Sequence, residues 1–215
     1  MRKRILNFQS GYTLIELLAV ITIVVVVGVI ITGILISSLR GGSKSNVLDN
    51  VRQNGNSTIT QMSKMIIYAQ SFNGISDGTF DNNGNRVYIT NCSQIISSSP
   101  SPSSPPSPTP TPMPKEYQYI KITSFDGGIT VFGCNDSNDI PPSTIASNGA
   151  SMIDTTPETG VKVSSCSFTC SQDGYGFPPT IGINFTLSQN TTSSFAEKQA
   201  IIPFQTSVTI RNNNL

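Results

Sequence analysis

Hydropathy gives the first part of the chain two textures. Residues 17–36 read LLAVITIVVVVGVIITGILI, twenty positions without a charge. As a helix rising about 1.5 Å per residue, such a run crosses roughly 30 Å of hydrocarbon. Ser37-Ser38-Leu39-Arg40-Gly41-Gly42 follows, where paired glycines favour a bend or fraying. Apolar and small positions then recur at three- and four-residue steps: Val47, Val51, Thr58/Ile59, Met62, Met65/Ile66 and Ala69. Asn50, Arg52, Gln53, Gln61 and Lys64 fall on other faces. The pattern predicts an amphipathic helix with one seam to bury, stopped at Asn73-Gly74. Met62 and Met65 belong to that seam as core filler.

From Ile75 the period becomes two. Residues 86–90 (RVYIT) predict a short strand before Cys92. Residues 117–125 alternate, Asp126-Gly127-Gly128 turns and residues 129–132 return, which predicts a hairpin. Residues 161–169, 180–187 and 204–210 alternate as well. Between these strands, residues 97–114 (SSSPSPSSPPSPTPTPMP) hold eight of the fourteen prolines and no aliphatic side chain. Proline donates no ladder hydrogen bond, so the tract reads as an extended, solvated insertion within one domain. A helix followed by antiparallel strands is an α+β arrangement. The sheet is expected to cover the seam of the second helical half and to leave the first half bare for lipid or neighbouring subunits.

Charge argues for export. The chain holds 13 Lys and Arg against 12 Asp and Glu, a net charge of +1, and without Arg2, Lys3 and Arg4 the balance falls to −2. Neither value suits a binder of phosphate backbones, so no nucleic acid is expected as a partner. Basic residues before the span place the N-terminus in the cytoplasm and everything beyond residue 36 outside, as a single-pass protein of the cytoplasmic membrane. All four cysteines (Cys92, Cys134, Cys166, Cys170) lie beyond the span, and an even number in an oxidising compartment favours disulfides. Three pairings are open. On a straight strand Cys166 and Cys170 would stand about 13 Å apart, too far to bond. Either the chain turns between them or each pairs elsewhere. The favoured pairing is Cys92–Cys134, closing the loop around the proline tract, with Cys166–Cys170 across a turn. Zinc is the rival, but the chain has no C-x-x-C spacing and no histidine.

The N-terminus carries the most specific chemistry. Arg2, Lys3 and Arg4 lead into polar Asn7, Gln9 and Ser10, then Gly11-Tyr12-Thr13-Leu14-Ile15-Glu16 and the apolar run. A secretory signal has a shorter apolar core of about 7–15 residues and a small-residue cleavage site after it. Glu16 is the second anomaly, since a carboxylate within an apolar span costs on the order of 2.5–3.5 kcal/mol. Cleavage after Gly11 would make Tyr12 a new N-terminus, with an ammonium four residues before that carboxylate.

The segment GYTLIELLAV resembles the class III signal of type IV pilins and type II secretion pseudopilins. The resemblance implies cleavage between Gly11 and Tyr12 by a prepilin peptidase/N-methyltransferase, N-methylation of Tyr12, and pairing of Glu16 with the terminal amine of a neighbouring subunit during assembly. It implies a pilin-like fold, with partners among other pilin or pseudopilin subunits and an inner-membrane assembly platform. Tyr12 departs from the commoner Phe but stays aromatic. Val51-Arg-Gln-Asn-Gly55 and Thr206-Ser-Val-Thr-Ile-Arg-Asn212 are similar to segments of J-type minor pseudopilins and related minor pilins. No Cys follows Cys170, so the C-terminal disulfide loop common in major pilins is missing.

The expected organisation is a cleaved leader (1–11), a transmembrane and assembly helix (12–40), an amphipathic helix (41–74) and a β-rich extracytoplasmic head (75–215). Gly28 and Gly33 are expected to ease packing or local unwinding as subunits leave the bilayer. Without histidine, G-x-S-x-G, a phosphate loop or H-E-x-x-H, no enzyme activity and no cofactor are expected. Asp77, Asp81, Asn83 and Asn85, and Asp136, Asn138 and Asp139, are oxygen-rich clusters read as turns rather than as a metal site. The leading expectation is a structural, minor subunit of a pilus-like or pseudopilus filament on the cell surface. The second is a filament-tip adhesin that recognises ligands through residues 135–148 and 189–194.

Overall fold

The computed structural model describes residues 13–92, 115–134, 144–174 and 176–211. Helix α1 spans Leu14–Ile67 and is followed by strands β1 (Ser71–Ser76), β2 (Tyr119–Thr123), β3 (Ile129–Gly133), β4 (Ala146–Ser147), β5 (Ala150–Ser151), β6 (Val161–Ser171), β7 (Thr180–Gln189) and β8 (Ile201–Thr209). A 3-10 turn at Ala196–Lys198 precedes β8. The order is α+β, and the chain divides into two compact units, Met1–Ser43 and Lys44–Leu215.

In the first unit every described side chain up to Gly42 is exposed. This is the sequence that pattern alone assigned to lipid, and α1 is long and apolar enough for one membrane span. The helix continues through Gly41 and Gly42. Glycine costs about 1 kcal/mol per position in a helix, which the two residues bear without ending it.

In the second unit the seam is as the periodicity requires. Val51, Gly55, Thr58, Met62 and Ile66 are buried, at steps of four, three, four and four. Val51, Met62 and Ile66 share one core with Ile75, Ile120, Ile122, Phe132, Phe168, Ile181, Ile183 and Leu187. Met65 lies at its margin, 37% exposed. The helix ends at Ile67, earlier than expected, because Asn73-Gly74 is used by a strand: β1 pairs with β2, with a register shift between Phe72 and Gly74. Gly74 has φ +125°, a conformation open to glycine, so the dipeptide makes a β-bulge instead of a helix stop.

One sheet runs β1-β2-β3-β4-β5 and the other β6-β7-β8, all pairs antiparallel. The β2–β3 hairpin turns at Asp126-Gly127-Gly128, with Gly127 at φ +82°. Residues 86–90 do not form the predicted strand. Ile89 exchanges two backbone hydrogen bonds with Ile75, and Arg86 bridges Phe80, without a continuous ladder. The bulge in β1 and the glycine turns at Gly78 and Gly84 keep this segment from running in register.

Tyr117 joins the sheets, donating to and accepting from the backbone of Phe168 at 2.8 Å each way. Two disulfides staple the same seam. Cys92 pairs with Cys170 and Cys134 with Cys166, at Cα separations of 5.6 and 5.4 Å. This corrects the favoured pairing of Cys92 with Cys134 and Cys166 with Cys170. The reason is that β6 runs straight through residues 166–170, so no turn brings its two cysteines together. Both instead point to one face of β6 and reach outward to the other sheet's flanks.

Candidate functional site

The start of α1 is built by Thr13. Its carbonyl accepts from Glu16 N–H and Leu17 N–H at 3.1 and 3.2 Å, and its Oγ1 accepts from Glu16 N–H at 3.4 Å. Thr13 is therefore the N-cap and Glu16 the third helical residue, the T-x-x-E spacing of a capping box. That signal, Thr13-x-x-Glu16, is legible in the sequence and overlaps the GYTLIE segment. It places the carboxylate in the first turn, where the helix dipole favours an anion by about 0.3–1 kcal/mol. The dipole offsets only a fraction of the cost of Glu16 in hydrocarbon. Among the described residues nothing bonds the carboxylate itself. Gly11 and Tyr12, the expected cleavage and methylation positions, lie outside the described residues, as do the proline tract and residues 135–143 with Asp136, Asn138 and Asp139.

From Leu14 to Leu39 the helix presents large aliphatic side chains on all sides, mostly half to three-quarters exposed. Thr22 and Thr32 satisfy their hydroxyls within the helix, donating to Ala19 and Gly28 carbonyls at 2.8 Å. Nothing lies within 4 Å of an added Cβ at Gly28 or Gly33. This surface can dissolve in lipid or pack against like helices.

The head grips the second helical half through a polar ladder. Asn50, Asn54 and Thr58 follow one another at four-residue steps. Asn50 donates to the Thr159 carbonyl, Asn54 Oδ1 accepts from Asp154 N–H at 3.1 Å, and Thr58 donates to the Met152 carbonyl at 3.1 Å. Next to them Gly55 faces the Phe204 ring so closely that a methyl group there would overlap it. Phe204 stacks on Phe185 with ring centroids 5.3 Å apart. The Val51–Gly55 motif is thus explained by packing: Val51 is buried, Asn54 holds the 152–160 loop, and Gly55 admits a ring from β8.

The cluster of Asp77, Asp81, Asn83 and Asn85 is absorbed by turns. Asp77 Oδ1 accepts from Thr79 N–H and Oγ1, at 3.2 and 2.8 Å, and Oδ2 faces Lys115 at 3.4 Å. Asp81 Oδ1 accepts from Asn83 and Asn85 N–H, both at 2.8 Å. The hydrogen bonds from Thr79 hold Asp77 below the usual carboxylate range, with burial opposing. Those from Thr156 do the same for Asp154. Within residues 189–194, expected to carry recognition, Gln189 to Thr192 are spent on the neighbouring 155–160 segment. Glu158 accepts from Thr191 Oγ1, Thr192 N–H and Thr192 Oγ1, which lowers its pKa, and Gln189 donates to the Glu158 carbonyl. Among the described residues no three His, Cys, Asp or Glu side chains gather as a metal site. Compared with family models, curated proteins and solved structures, the chain matches none.

Proposed function

We propose that the chain is a structural, minor subunit of a type IV pilus-like or type II secretion pseudopilus filament, processed after Gly11 and assembled through α1. The observation that carries this reading is one carboxylate, Glu16, in the Thr13-capped first turn of a helix that is otherwise uncharged from residue 14 to 39. A lone acid there needs a cation, and the amine of a processed Tyr12 on an adjoining subunit supplies one. Pairing offsets the desolvation of both charges. Contacts between helices replace contacts with lipid along residues 17–36. The resemblance of GYTLIELLAV to class III signals supports the same reading, and the Val51–Gly55 and 206–212 segments support the minor class. Export through the membrane suits the two disulfides.

Glu16→Gln keeps size and helix while removing the charge. The variant is expected to insert in the membrane and oxidise its cysteines normally, yet to fall at least tenfold in sheared filaments. Normal incorporation of Glu16→Gln and Glu16→Ala would refute the assembly role.

A further inference from the structure

A cleft of about 450 Å³ opens between the last turn of α1 and the tip of the β2–β3 hairpin, lined by Lys64, Met65, Tyr68, Ser124, Phe125 and Asp126. The volume lies within the range of small-molecule sites, roughly 300–1,000 Å³. Its two rings are left bare: Tyr68 is 56% and Phe125 78% exposed. The walls are nonetheless fixed. Gln70 Nε2 donates to the Phe125 carbonyl at 2.8 Å, tying the tip to the segment after the helix. Ser124 N–H donates to Gly128 O at 2.7 Å, Gly127 N–H to Ser124 O at 2.9 Å, and Gly128 N–H to Asp126 Oδ1 at 3.0 Å. Ser124 and Thr130 hydroxyls bond each other at 2.6 Å. That leaves Lys64 Nζ, Tyr68 OH and Asp126 Oδ2 without a partner among the described residues.

The geometry points to a binding site for a neutral saccharide. A sugar ring has one face of C–H groups, slightly positive, and a rim of hydroxyls. The π faces of Tyr68 and Phe125 suit the first. The three unpartnered polar groups suit the second, offering donors and acceptors together. Lys64 and Asp126 cancel in charge, which favours a neutral ligand over an acidic or basic one. An apolar peptide side chain would use the rings but leave those polar groups facing it unpaired, a loss of affinity. The site neither rests on the filament role nor excludes it.

The test is binding of the full chain, held in a detergent without a sugar headgroup, to an array of neutral and acidic oligosaccharides. Neutral members are expected to bind, with affinity falling at least tenfold in Phe125→Ala and Tyr68→Ala and severalfold in Asp126→Asn and Tyr68→Phe. Phe195→Ala, removing another exposed ring (64%) outside the cleft, is expected to bind as the parent does. Because Phe125 is exposed, its variant should melt as the parent does, and Tyr68→Phe removes only a hydroxyl. Absence of neutral-sugar binding, preference for acidic sugars, or affinity unchanged in the cleft variants would overturn the assignment. So would a photo-crosslinker at position 125 that joins another filament subunit in cells.

Discussion

A methyl group added at Gly55 meets the ring of Phe204, which is itself stacked on Phe185. Overpacking of this kind costs about 1–3 kcal/mol, so Gly55→Ala is expected to lower the unfolding free energy measured in urea by that amount, and Phe204→Leu in the same chain to restore part of it. Additive losses in the double variant would show that the two positions are not in contact. The acidic turns give a prediction in pH. Asp77, Asp154 and Glu158 all have pKa values held down in the folded chain by hydroxyl and backbone donors. A depressed folded pKa means the folded state is favoured above the ordinary carboxylate value. That contribution is lost as pH falls through the folded value. Stability measured from pH 7 to pH 3 should therefore decline, and Glu158→Gln should flatten the decline; an unchanged slope would remove Glu158 from this role.

At the scale of elements, the helical seam was legible because burial repeats with the helix period, and the spacing of Val51, Thr58, Met62 and Ile66 carries that period in the sequence itself. Gly55 was missed, since a glycine carries no hydropathy and only the ring of a strand some 150 residues later gives it a meaning. Asn73-Gly74 misled for the opposite reason: its turn chemistry is shared by helix stops and β-bulges, and tertiary pairing with β2 decided between them. Met62→Ala should cost about 2–5 kcal/mol by leaving a cavity in the seam, whereas Met65→Ala, at the margin, should cost under half of that by the same denaturation. The cysteine pairing needed the straightness of β6, which alternation alone did not guarantee. Loop closure gives about 4.5 kcal/mol for the Cys92–Cys170 link and about 3.7 for Cys134–Cys166, from separations of 78 and 32 residues. Digestion of the oxidised protein with cleavage after Phe168 should yield Cys166 linked to the Cys134 peptide and Cys170 to the Cys92 peptide. A Cys92–Cys134 peptide would contradict the seam described here.

For the whole molecule, two independent demands meet in one chain. Residues 14–39 need lipid or like helices around them, while the seam beyond residue 47 carries its own cover of two stapled sheets. The fold class and the membrane-suited half followed from periodicity, because both are properties of long stretches. The chemistry proposed for the helix start rests on six residues, Gly11 to Glu16, whose spacing alone is informative. The cleft beside Tyr68 and Phe125 was not legible, since its parts lie on a helix end and a hairpin tip that only folding brings together. Mass spectrometry of the protein recovered from its native cells tests the central claim most directly. The account predicts a mature chain beginning at Tyr12 with a methyl group on its amine, and a chain still starting at Met1 would contradict it.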